Sequence, residues 1–144
     1  MHDVDLLLVE DNLQDAELAI RSLKKHNLAN HFFVVEDGAE ALDFIFCRGK
    51  YAERLISQPP RVILLDLKLP LVNGLEVLRA IKQDMRTRSI PVVVVTSSRE
   101  VRDVTEAYEL GANSYVVKPV DFESFTDLIG RLGLYWLLIN HTAS

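Results

Sequence analysis

The chain has 144 residues, 49% hydrophobic and 26% charged, with a formal net charge of −5 and a pI of about 5.3. That is enough chain for one domain with a substantial core, and the acidic balance excludes the basic footprint of a nucleic-acid binder. Its one cysteine, Cys47, excludes an internal disulfide; the acidic start Met1–His2–Asp3 is no signal peptide, and no apolar run is long enough to span a bilayer. A cytoplasmic, single-domain protein occupying residues 1–144, without a separate output domain, is the expectation.

The first apolar run, Leu6–Leu7–Leu8–Val9, reads as a strand over about 5–9 and is followed at once by Glu10 and Asp11. Asn12 or Asp15 can cap a helix that runs to about Lys25, with Ala16, Ala19, Ile20 and Leu23 on one face. A second strand over about 32–36 leads through Asp37–Gly38 into a helix with Ala41, Leu42, Ile45 and Phe46 turned inward. Residues 48–60 carry Gly49 and Pro59–Pro60 without periodicity and read as a long surface loop, with a helical turn around Tyr51–Leu55.

The third strand, about 61–65, ends at Asp66. A helix follows Asn73–Gly74, with Leu75, Val77, Leu78 and Ile81 apolar. A fourth strand over about 91–95 is nearly all valine and ends at Thr96. A helix over about 100–110 stops at Gly111, and a fifth strand over about 114–117 ends at Lys118–Pro119. Asp121 caps the last helix, which runs toward Ile139 with Phe125, Leu128, Ile129, Leu132, Trp136 and Ile139 as its inward stripe.

Continuous Val/Ile/Leu strands alternating with amphipathic helices argue a parallel sheet covered on both faces. Five such units in this order point to the α/β, doubly wound, flavodoxin-like arrangement with strand order 2-1-3-4-5. Its switch point lies between the first and third strands. Glu10, Asp11 and Asp66 then converge at the carboxyl edge of the sheet. Two carboxylates about 4 Å apart repel by about 4 kcal/mol at an effective dielectric near 20. A divalent cation with all-oxygen ligation relieves that repulsion, and magnesium suits one or two carboxylates plus waters. A carboxylate is also a competent phosphoryl nucleophile, with Lys118 as fixed positive charge and Thr96 as hydroxyl donor.

The set Glu10–Asp11, Asp66, Thr96 and Lys118–Pro119 resembles the receiver domain of two-component response regulators, over about residues 5–138. Leu69–Pro70, Asn73–Gly74, Gly111–Ala112 and Tyr115 fit the same pattern. The resemblance implies that Asp66 accepts a phosphoryl group from a sensor histidine kinase or a histidine phosphotransfer protein. It implies Mg2+ on Asp11, Asp66 and the carbonyl of Lys68, with Glu10 acting through a metal-bound water. Lys118 is implied to pair with the phosphoryl oxygens, with a cis bond to Pro119. Thr96 and Tyr115 are implied to be the switch. Such a protein is a signalling switch rather than an enzyme, and either an effector, a phosphate sink or a relay intermediate.

Lys68 and Ser98 depart from the commonest receiver pattern at positions that govern water access to an aspartyl phosphate. The long loop 48–60 and the tail Leu134–Tyr135–Trp136 look like the small receivers that partner bacterial phytochromes. Leu134, Tyr135, Leu137 and Leu138 exceed what one inward stripe needs, so self-association as a homodimer, or partner docking, through the fourth helix, fifth strand and fifth helix is expected. His2, His26, His31 and His141 lack metal spacing and read as surface residues. Three other functions fit less well. A haloacid-dehalogenase-type hydrolase needs an acid where Lys68 stands. A flavin carrier needs a hydroxyl- and glycine-rich loop where Glu10–Asp11–Asn12–Leu13 stands. A receiver-like adaptor that carries no phosphate does not need the acceptor set.

Overall fold

A computed structural model describes residues 4–27 and 31–140 of the chain; His2 and His141 lie outside them. Five strands, β1 (Leu6–Val9), β2 (Phe32–Val35), β3 (Val62–Leu65), β4 (Val92–Thr96) and β5 (Ser114–Val117), form one parallel sheet in the order β2-β1-β3-β4-β5. Five helices connect or follow them: α1 (Leu13–Lys25), α2 (Gly38–Ile45), α3 (Gly74–Gln83), α4 (Val101–Glu109) and α5 (Phe122–Leu134). The α/β, flavodoxin-like arrangement and its strand order are as expected. Each strand end falls within one residue of its predicted place.

Strand alternation sorts the apolar side chains into two cores. Leu7, Val9, Ile63, Leu65, Val92 and Val94 pack with Phe44, Leu78 and Ile81 from α2 and α3. Leu6, Leu8, Val62, Leu64, Val93 and Val95 pack with Ala19 and Leu23 of α1 and Ile129 of α5. β1 to β4 carry no polar residue before their carboxyl ends, whereas the half-buried edge strand β5 opens on Ser114. Helix starts follow their caps: the side chains of Asn12, Asp37, Asn73 and Asp121 accept from the amides of Asp15, Glu40, Glu76 and Ser124.

Loop 48–60 carries a short 3-10 turn, Gly49–Tyr51, slightly earlier than expected. Tyr51 is buried and meets the rings of Phe33 and Phe44 at centroid distances of 5.7 and 5.0 Å. The loop is thus pinned to the core by an aromatic residue that a polar, aperiodic sequence conceals.

The last helix departs from expectation beyond Leu134. Residues Tyr135–Ile139 form a π turn, which holds an extra residue per turn and shifts the downstream face. Leu137 is therefore buried and Ile139 is exposed, the reverse of the predicted stripe. Gly130 has a packing reason: a Cβ there would lie 2.8 Å from the ring of His26, which caps the end of α1.

Candidate functional site

The polar residues of interest occupy the loops that leave the carboxyl ends of the strands. Val9 pairs with Leu65 across β1 and β3, so Glu10 and Asp66 leave the sheet side by side. Val117 pairs with Thr96 across β4 and β5, and the amide of Lys118 donates to the carbonyl of Thr96 at 2.8 Å. This register turns Lys118 back across the edge toward the acids.

Lys118 is the centre of the cluster. Its Nζ lies 2.6 Å from Glu10 Oε1, 2.9 Å from Asp15 Oδ2 and 3.0 Å from Asp66 Oδ2. Its side chain is only 10% exposed. Burial works to lower the lysine, yet Glu10, Asp66 and Asp15 outweigh it and hold the ammonium above its ordinary range. Glu10 is 4% exposed. Burial lifts its carboxyl from 4.5 to about 7, against the opposing hydrogen bond from Lys118, and the charge of Asp66 adds to the rise. Glu10 Oε2 also accepts from the amide of Asn12 at 3.1 Å.

Asp66 is buried, and its Oδ1 accepts from the amide of Lys68 at 3.3 Å. The side chain of Lys68 itself is exposed. The backbone behind Asp66 is held by close packing at Gly74, where a Cβ would lie 2.2 Å from the carbonyl oxygen of Asp66. Asp11 is exposed at the mouth of the cluster. One carboxylate oxygen from each of Glu10, Asp11 and Asp66 lies within 4.8 Å of the others. An all-oxygen, anionic donor set of that size fits a hard divalent cation.

Thr96 is fully buried at the end of β4, and its Oγ1 accepts from the amide of Ser98 at 3.5 Å. Tyr115 is half-buried, and its hydroxyl donates to the carbonyl of Ser98 at 3.0 Å. Ser98 is buried too, and its Oγ donates to Asp103 of α4 at 2.5 Å. The β4–α4 loop therefore links Thr96, Tyr115 and α4 through one serine.

Two features differ from the sequence reading. The Lys118–Pro119 bond is trans; no cis peptide occurs among the described residues. Trans is favoured by about 0.5–1 kcal/mol even before proline, and Lys118 reaches all three carboxylates from it. Asp15 is the second: Asn12 takes the cap, and the acid left over in the first turn of α1 reaches the lysine. The only signal in the sequence is an acid one helical turn past Asp11.

Residues 6–130 match the model of the response regulator receiver domain. The chain is 36% identical over 132 residues to the response regulator Rcp1 of Synechocystis sp., covering 92% of this chain and 88% of that one. A structure of Rcp1 in its Mn2+-bound form superposes with a TM-score of 0.89 at 34% identity, over 96% of this chain and 98% of Rcp1. The phosphorylated cyanobacterial phytochrome response regulator RcpA superposes with a TM-score of 0.91 at 32% identity, over 99% and 100% of the two chains. The bacteriophytochrome response regulator AtBRR is 49% identical over 98% of this chain and 100% of its own, with a TM-score of 0.74.

Proposed function

Because the chain belongs to the response regulator receiver domain family, we propose that Asp66 accepts a phosphoryl group from a histidine kinase or a histidine phosphotransfer protein. The observation that carries this reading is the contact of Lys118 with Asp66 at 3.0 Å inside a convergent set of carboxylates. A structural domain gains nothing from such repulsion, whereas phosphoryl transfer needs both the nucleophile and the neutralising charges. In the transfer, the P–N bond of a phosphohistidine breaks and an Asp66 oxygen forms the new P–O bond. The imidazole nitrogen keeps the electron pair.

Glu10, Asp11, Asp66 and the carbonyl of Lys68 would hold Mg2+, which neutralises the carboxylates and the phosphoryl oxygens when bound. Lys118 orients Asp66 before transfer and pairs with a phosphoryl oxygen after it. Thr96 and Tyr115 form the switch: a hydroxyl drawn toward the phosphoryl group pulls on Ser98, which Tyr115 and Asp103 both touch. The likeness to RcpA, a phytochrome response regulator, and to AtBRR, a bacteriophytochrome response regulator, supports a phytochrome as the partner kinase. The proposed self-association uses α4, β5 and α5, where Val101, Tyr108 and Leu134 are exposed, with Tyr135 exposed just beyond α5.

Reductive trapping tests the reading. Borohydride converts an aspartyl phosphate into homoserine, so peptide mass spectrometry after phosphotransfer should find homoserine at position 66. Trapping at another acid, or at none in a folded protein exposed to an active kinase, refutes it.

A further inference from the structure

An ammonium has three N–H groups, and each needs an acceptor when buried. Lys118 meets that need with Glu10, Asp15 and Asp66 at 2.6, 2.9 and 3.0 Å. The three acceptors are not equivalent. Glu10 and Asp66 both belong to the group of carboxylates that converges within 4.8 Å, so a cation bound there competes with the lysine for both. Phosphorylation of Asp66 also turns one of its oxygens into the bridging atom of an acyl phosphate, and its charge passes to the phosphoryl group. Asp15 stands outside that converging group. It sits in the first turn of α1, where its amide donates to the capping side chain of Asn12 at 3.0 Å, so the helix cap fixes its backbone.

We propose that Asp15 is a positioning residue that keeps the Lys118 ammonium aimed at the phosphoryl group while the other two acids change partners. This rests on Asp66 being the phosphoryl acceptor. Lysine is a point charge on a flexible stem with several rotamers, and a carboxylate on a rigid helix restricts them. Asp15 touches the lysine, not the reacting atoms, so its effect runs through Lys118.

The test uses Asp15→Asn and Asp15→Glu in the full chain. Initial labelling by acetyl phosphate at saturating Mg2+ is compared with the Mg2+ dissociation constant from calorimetry. Asp15→Asn should slow labelling about tenfold, the loss of one charge-assisted hydrogen bond. Its Mg2+ affinity should move less than about threefold, and Asp15→Glu should recover part of the rate. In a Lys118→Ala background, Asp15→Asn should make no further difference. Labelling at the wild-type rate in Asp15→Asn overturns the proposal. So does an equal loss with and without Lys118, or a fall in Mg2+ affinity that parallels the rate. Circular dichroism establishes that each variant is folded, and Asp15→Glu keeps the charge if Asp15→Asn is not. A wild type that takes no label at all removes the acceptor reading itself; a labelled wild type with an indifferent Asp15→Asn removes only this inference.

Discussion

Glu10→Gln removes a charge from the most buried acid of the site while keeping its shape. A carboxyl carried from 4.5 to about 7 is harder to ionise in the folded chain by about 3 kcal/mol, and with 4% exposure solvent screens little of it. The folded state holds the proton where the unfolded state has lost it, so wild-type stability falls as pH rises from 4.5 to about 7. Glutamine does not titrate, so the variant escapes that fall. Without metal, the stability of Glu10→Gln relative to wild type should therefore rise by about 2.5 kcal/mol between pH 5 and pH 8. Urea unfolding at the two pH values, in chelator, measures it. Any fixed loss from the weaker bond to Lys118 cancels in the comparison. Added Mg2+ should narrow the gap at pH 8, because the cation relieves the wild-type repulsion. A gap that stays constant or shrinks with pH refutes the account of Glu10.

Three further outcomes follow from the geometry. Gly74→Ala places a Cβ 2.2 Å from the carbonyl oxygen of Asp66 and 2.5 Å from Leu67 Cα; backbone must move, and a loss of about 3 kcal/mol in urea unfolding is expected. Tyr115→Phe removes the hydroxyl donated to Ser98 and should lower stability by about 1 kcal/mol, while leaving labelling of Asp66 intact. Lys82→Met removes the donor shared by the carbonyls of Arg88 and Ile90 and the side chain of Asn113, and should cost about 1–3 kcal/mol with Mg2+ affinity unchanged.

Most of the sheet was legible because parallel strands buried on both faces must be written in continuous Val, Ile and Leu. Val62–Leu65 and Val92–Val95 have no other use, and the first polar residue after each run marks the site edge. Glu10, Asp11, Asp66, Thr96 and Lys118 were readable for that reason. Side-chain reach was not. Asp15 competes with Asn12 for one cap, and only the backbone decides which acid is left to meet Lys118. The π turn at Tyr135–Ile139 was hidden as well, because an all-apolar stretch fits several helical periods; Leu137 and Ile139 exchanged places accordingly. Tyr51 gave no periodic signal, since a single anchor in a loop has no period.

The central claim is that Asp66 is a metal-dependent phosphoryl acceptor. The most direct measurement is the intact mass of the purified protein after incubation with acetyl phosphate, with Mg2+ and with chelator, beside Asp66→Asn. One phosphoryl adduct is predicted for the wild type with Mg2+, absent in chelator and absent in Asp66→Asn. An adduct that survives in Asp66→Asn, or no adduct on a folded wild type with Mg2+, contradicts the account.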